Sequence, residues 1–269
     1  MRLLPLRIAA LASFLHAWAA TAPAEAQGDL LLVYDMRYGG VSIMELMARV
    51  DLAEGNRQGY SISLQGRTVG LIDALKPMAF TATSQGVSNG HGLQPALYST
   101  TTRKRGKKKA LSVDFAPDRT PVARFTPPDD AEEPAPPEIL EGSVDPASAL
   151  LTLIQMVSKT ASCSGAGTVE VFDGKKRYDV TFVDLPREML HKTSYSLYSG
   201  EATRCRMDMR PLHGFKPGKR RPLDGTMVWF GKALDGAPPL PVRIETEISL
   251  GSVRLELASV RWADQQASR

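Results

Sequence analysis

The chain is poor in the residues that build metal and redox centres. It has two cysteines in 269 residues, Cys163 and Cys205, and they are too far apart to form a C-x-x-C pair. Beyond the N-terminal leader three histidines remain, His91, His191 and His213, widely spaced and without metal-ligand spacing to a neighbour. No metal and no cofactor are therefore expected. After residue 26 no apolar run approaches the roughly 20 residues of a membrane-crossing helix. Internal repeats are lacking. The net charge of +4 is too small to argue a nucleic-acid partner.

What is present begins with an export signal. Arg2 and Arg7 give a positive start, Ile8 to Ala20 is apolar, and Ala24-Glu25-Ala26 is an A-x-A-like cleavage site. The reading is a signal peptide over residues 1–26, cleaved after Ala26. The rival is an uncleaved N-terminal anchor, for which the apolar run is short. No cysteine near the cleavage site would accept a lipoprotein anchor. Removing the leader takes Arg2, Arg7 and Glu25 with it and lowers the net charge to about +3. The product is expected in the periplasm, with no membrane span and no nucleic-acid partner. In an oxidising compartment Cys163 and Cys205 should form one disulfide. The strand–turn–strand pattern between them suggests that it staples a β-sheet.

Residues 27–269 read as a single β-rich domain. Leu30–Met36 is a strand candidate. Residues 44–52 alternate apolar and polar, which argues a half-buried strand, although Met, Glu, Leu and Ala also suit a helix. Glu54-Gly55-Asn56 turns the chain into Tyr60–Leu64, which alternates again. A short helix over 68–75 is expected to carry Leu71, Ile72 and Leu75 inward. Strands follow at Phe80–Ser84 and Ala96–Thr102. A hairpin over 98–115 then bears the basic run Arg103, Lys104, Arg105, Lys107, Lys108 and Lys109 at its tip. Residues 127–138, PPDDAEEPAPPE, are expected to form an extended loop inserted within the domain.

One helix is clearly signalled at about 145–159. Asp145 suits the N-cap, Pro146 the first helical position, and Leu150, Leu151, Ile154 and Val157 share a face. Lysine 159 suits its C-terminal end. Strands are expected again at Thr168–Phe172, Arg177–Val183, Glu201–Met209, Thr226–Phe230, Leu240–Ile248 and Ser252–Trp262. The fold class is therefore mainly β: a highly curved antiparallel sheet or open β-barrel wrapped around one principal helix.

Asp145-Pro146-Ala147-Ser148-Ala149-Leu150, Val171 through Asp179, Cys205, Pro211-Leu212-His213-Gly214-Phe215 and Pro241-Val242-Arg243-Ile244 stand in an order that resembles a proteobacterial envelope family, domain-of-unknown-function family 3108. The resemblance runs from about Tyr34 to Trp262. It implies a periplasmic, mostly antiparallel, highly curved sheet, similar in shape to the open barrels of periplasmic lipoprotein carriers and envelope-integrity proteins. It brings no catalytic residues.

Three functional readings follow. The first is a non-enzymatic envelope protein that holds a lipid, a lipoprotein or a protein segment, with Met36, Met44, Met47, Trp229 and Trp262 as candidate apolar lining, each of which also suits a core. The second is a structural or scaffolding protein that meets partners through the basic hairpin. That hairpin could be a solvated turn, meet anionic lipid head groups or lipopolysaccharide phosphates, or be covered by the acidic loop. Arg220-Arg221 adds a smaller basic site. The third is a serine hydrolase. Gly86-Val87-Ser88-Asn89-Gly90 matches the G-x-S-x-G of a nucleophile elbow, but His91-Gly92-Leu93-Gln94-Pro95 after it is a poor helix start, and an elbow needs a strand running into a helix.

Overall fold

The computed structural model describes residues 28–51, 59–89, 92–115, 120–128, 134–215, 225–248 and 251–263. The leader, the Glu54-Gly55-Asn56 turn, His91, the acidic centre of the 127–138 segment and Arg220-Arg221 lie outside them.

Alternating apolar and polar residues in successive runs dictate strands with one buried face. The first group is β1 (Leu30–Tyr38), β2 (Val41–Asp51), β3 (Gly59–Thr68), β4 (Met78–Asn89), β5 (Gly92–Lys104), β6 (Lys107–Phe115) and β7 (Pro121–Thr126). The second is β8 (Thr168–Phe172), β9 (Arg177–Leu190), β10 (Gly200–His213), β11 (Thr226–Gly231), β12 (Leu240–Ile248) and β13 (Gly251–Trp262). All 13 form one sheet in the order β7-β6-β5-β4-β3-β2-β1-β13-β12-β11-β10-β9-β8, antiparallel throughout. The two halves are joined where β1 lies against β13, Leu30 opposite Trp262. The curled sheet is a nearly closed barrel whose free edges are β7 and β8. The strand reading of 44–52 holds.

The gap between the free edges is filled rather than paired. Val144 makes a parallel bridge to Val171 and so extends the β8 edge. Leu140 packs with Tyr98, Val113 and Phe172, with Ala135 and Ile139 alongside. The β8–β9 turn presses on β6: a side chain added at Gly174 would meet Leu111 at 2.7 Å, and its φ of +94° also favours glycine. Arg177 ties the same seam, donating to Asp179 and Glu170 at 2.6 Å each and to the Ile139 carbonyl at 2.8 Å.

Helix α2 (Pro146–Thr160) lies inside the curled sheet. Ala149, Leu153, Ile154 and Val157 pack against Val171, Tyr178, Val180 and Phe182, while Ala147 and Leu151 pack against Tyr60, Ile62 and Leu93. The helix therefore contacts both halves of the sheet. The expected inward stripe is present, except that Leu150 is only partly buried.

The short helix α1 (Gly70–Leu75), in the β3–β4 connection, corrects the inward expectation for its apolar residues. Leu71 is 73% exposed, Leu75 65% and Ile72 38%, and no residue of α1 is buried. The reason is position. The connection sits on the rim of the barrel, where the spacing of apolar residues creates a stripe but no core lies beneath it. Thr68 holds the connection by donating to Asp73 Oδ1 at 2.6 Å and accepting from Met78 N at 2.9 Å.

The disulfide joins Cys163 to Cys205, both fully buried, with Cα atoms 5.9 Å apart. It corrects one detail of the expectation. The bridge fastens the segment just after α2 to β10, so it staples helix to sheet rather than strand to strand.

Candidate functional site

Between α2 and the sheet lies a cavity of about 190 Å³. Its wall is built by alternation along three neighbouring strands: Leu30, Leu32 and Tyr34 on β1, Leu46, Ala48 and Val50 on β2, and Ile62 and Leu64 on β3. Leu240, Pro241 and Ile244 on β12 and Leu255 on β13 continue it. Ala147, Leu150, Leu151 and Ile154 on α2 close it. Leu46, Val50, Leu64, Ile244 and Leu255 keep some accessible surface because the space before them is unfilled.

Every lining side chain is apolar except Tyr34, whose hydroxyl donates to the Pro241 carbonyl at 2.9 Å. Burial pushes that hydroxyl far above the ordinary tyrosine range. The cavity thus has no polar group positioned to activate a substrate, and it offers an apolar guest nothing but van der Waals contact. A second space of about 50 Å³ lies on the other side of α2, against Val171, Val180, Phe182 and Met207, and Leu150 borders both.

The helix is fixed at both ends. At its start Asp145 Oδ1 accepts from the amides of Ala147 at 2.9 Å and Ser148 at 3.1 Å. Its Oδ2 accepts from the hydroxyls of Ser148 at 2.5 Å and Ser84 at 2.8 Å. Tyr60 completes the cluster with its hydroxyl 2.6 Å from that of Ser148. One N-cap thereby ties α2 to β3 and β4. Burial raises the Asp145 carboxyl above its ordinary value, against the opposing pull of those hydrogen bonds. Burial likewise pushes Tyr60 up to about 12.

At the far end the disulfide reaches β10, and Asp184 of β9 accepts from Cys163 N, Ser164 Oγ, Ser162 Oγ and Ser164 N. Partial burial opposes ionisation of Asp184, but those four bonds outweigh it and hold the carboxyl down to about 2.

The structure disperses the five residues expected to form an apolar groove, and none of them lines the cavity. Met36 and Met44 pair across β1 and β2 on the inward face, closer to the strand ends. Met47 faces outward and is exposed. Trp229 is buried elsewhere, donating from Nε1 to Glu188 Oε2 at 2.9 Å between the guanidinium groups of Arg204 and Arg243. Trp262 closes the barrel opposite Leu30 and donates to the Asp235 carbonyl. The cavity is built instead mainly from branched aliphatic residues, with two alanines, Tyr34 and Pro241. The inward alternation of β1–β3 was the signal for the wall; the small residues Ala48 and Ala147 that leave it room gave no signal of their own.

Ser88 lies within β4, opposite Leu93 of β5, and the chain continues strand to strand. The strand-to-helix turn of a nucleophile elbow is not formed there. His213 ends β10 at the opposite end of the barrel from Ser88. Among the described residues no group of three or more acidic, histidine or cysteine side chains could hold a metal ion. No helix among them is long and apolar enough to cross a membrane.

The six basic residues stand together at the β5–β6 tip, all exposed. Arg105 and Gly106 form a two-residue turn with φ of +49° and +77°, the hairpin geometry that needs positive φ at both positions.

The family model described as "Protein of unknown function (DUF3108)" matches residues 33–258. No curated protein matches the chain. A similar solved structure is titled "Crystal Structure of Beta-barrel-like Protein of Domain of Unknown Function DUF1849 from Brucella abortus". It is 12% identical, with 88% of this chain and 99% of that chain covered and a TM-score of 0.47.

Proposed function

Since the chain belongs to the family described as Protein of unknown function (DUF3108), we propose from its own geometry that it is a non-catalytic periplasmic protein of the cell envelope. It holds the apolar part of a lipid, a lipoprotein or a protein segment beneath α2. The leader and the disulfide support export. The observation that carries the binding reading is the cavity itself. Protein interiors pack to crystal-like density, and an unfilled apolar space of this size costs on the order of several kcal/mol. Apolar cavities of about 150 Å³ stay dry and accept benzene-sized guests, so the space of about 190 Å³ suits a short stretch of acyl chain or one large apolar side chain.

The test is native mass spectrometry of protein recovered from the periplasm, followed by titration with a fluorescent fatty acid. Ala48→Leu fills the cavity from its wall and should weaken probe binding about tenfold or more while raising the unfolding midpoint. Bound lipid in the wild type, or saturable probe binding lost in Ala48→Leu, supports the reading. No co-purified lipid together with probe binding indifferent to Ala48→Leu refutes it.

A second reading, an interaction scaffold, is favoured by one observation. Among the described residues none of Arg103, Lys104, Arg105, Lys107, Lys108 and Lys109 has an ion-pair partner.

A further inference from the structure

Of the ten large apolar residues exposed among the described residues, Val41, Leu71, Ile72, Leu75, Leu212 and Ile248 stand at one end of the barrel, in or beside the connections that follow β1, β3, β10 and β12, three of them together on α1; Val87, Val122 and Met189 lie singly toward the other end and Met47 in mid-strand. In an antiparallel meander alternate connections share an end, and the β5–β6 tip is at this same one. The two features touch: the Arg105 amide donates to the Pro77 carbonyl just after α1 at 3.3 Å, and Lys104 pairs with Met78 at the start of β4. Lys76, exposed at the end of α1, adds a cation between them.

The hairpin keeps its charges at a cost. In register, Arg103 faces Lys108 and Lys104 faces Lys107, and like charges directly opposite on a sheet are destabilising. Among the described residues, acidic side chains beside the tip are already engaged: Asp73 accepts from Thr68, and Asp173 accepts from the amides of Lys175 and Lys176. Folding alone does not call for a cationic tip without an ion-pair partner among the described residues, set beside a rim of exposed leucines. An interface with negative charge above and hydrocarbon below satisfies both. Amphipathic elements bind such surfaces by burying their apolar face at the head-group boundary and drawing anionic lipid to their cations.

We propose that this end of the barrel docks on an anionic phospholipid bilayer, with Leu71 and Leu75 of α1 entering the head-group layer and the β5–β6 tip contacting the lipid phosphates. The proposal stands on exposure, register and charge, and it does not depend on the cavity reading.

The experiment is vesicle co-sedimentation of the exported chain, its N-terminus read by mass spectrometry. One vesicle set carries phosphatidylglycerol in phosphatidylcholine and the other is phosphatidylcholine alone, at 50 and 500 mM salt. Each charge near such a surface is worth about fivefold in affinity, so Lys107→Glu/Lys108→Glu/Lys109→Glu should weaken binding about 100-fold or more. Leu71→Ser/Leu75→Ser should weaken it about tenfold or more. These residues are exposed, so the variants should keep the wild-type circular dichroism. Met189→Ser, an exposed apolar residue at the far end of β9, should bind as wild type. Binding confined to anionic vesicles, reduced by salt and by both variants, supports the proposal. It is overturned by no binding at 50 mM salt, by equal binding to both vesicle types, or by indifference to either variant.

Discussion

Replacing Asp145 with alanine should cost far more than an ordinary helix cap. Loss of an exposed N-cap is worth about 1 kcal/mol. Here the carboxylate is fully buried and accepts four hydrogen bonds, two from amides of the first helical turn and two from hydroxyls. The hydroxyls of Ser84 and Ser148 still have each other at 3.1 Å, and Ser148 still has Tyr60. The two amides have no replacement, and each buried donor left unmade costs roughly 1–3 kcal/mol. Removing a buried carboxyl returns part of this, so the expected loss is about 2–4 kcal/mol against a typical total stability of about 5–15 kcal/mol. Asp145→Asn keeps the acceptor for both amides and should cost less than about 1 kcal/mol at acidic pH. Its pH behaviour is the sharper test. Because burial raises the Asp145 carboxyl, the folded state holds the proton more tightly than the unfolded chain. The group's contribution is then complete below the ordinary aspartate value of about 3.9 and is lost as pH rises through the elevated folded value. Asparagine cannot ionise, so the asparagine variant should gain on the wild type as pH increases from about 4. Urea unfolding with the disulfide intact, at several pH values, reads both effects. An alanine variant within about 1 kcal/mol of wild type, or a wild-type-to-asparagine difference independent of pH, refutes the account.

Two further outcomes follow from the other end of α2. The disulfide spans 42 residues, so Cys163→Ala/Cys205→Ala should lower stability by about 4 kcal/mol on the chain-entropy account; urea midpoints under non-reducing conditions measure it, and a loss under about 1 kcal/mol contradicts it. Asp184 has the opposite sign to Asp145. Its hydrogen bonds hold the folded carboxyl at about 2, so the stability it provides is present above the ordinary value of about 3.9 and is lost as pH falls toward 2. Asp184→Asn should flatten that acid limb in thermal melts, and an unchanged limb would falsify the assignment.

The strand pattern made most of the sheet legible. Alternation in Leu30–Met36, Tyr60–Leu64 and 44–52 needs only one buried face to be informative, and the Asp145-Pro146 start made α2 plain. Strand β7 was not anticipated, because Pro121–Thr126 is six residues long and lies between proline-marked turns. Strand lengths were also underestimated, as at β9, which continues through Pro186 to Leu190. The joining of β1 to β13 is a contact between the two ends of the sheet, which no local pattern encodes. The outward leucines of α1 show a further gap. Helical spacing defines a stripe, whereas burial depends on what the tertiary fold sets against it. The site was the least legible part. Large apolar residues drew attention to Met36, Met44, Met47, Trp229 and Trp262, but a cavity is defined by volume that is missing, and small residues among aliphatic ones create it.

The persistence of that volume has a mechanical reason. An apolar helix beside an unfilled space should sink toward the wall, because each contact regained lowers the energy. Helix α2 cannot do so at its start, where a shift breaks the bond from Ser84 of β4 to Asp145 and that between Tyr60 of β3 and Ser148 together. Nor can it do so at its end, where Cys163 is covalently held to β10 and Asp184 grips the adjacent backbone. The helix acts as a strut between the two halves of the curled sheet, and the space beneath its first half is the gap left where a straight strut crosses a curved wall. Polar and covalent anchors at both ends thus preserve an apolar opening between them, which the packing of α2 alone would have closed.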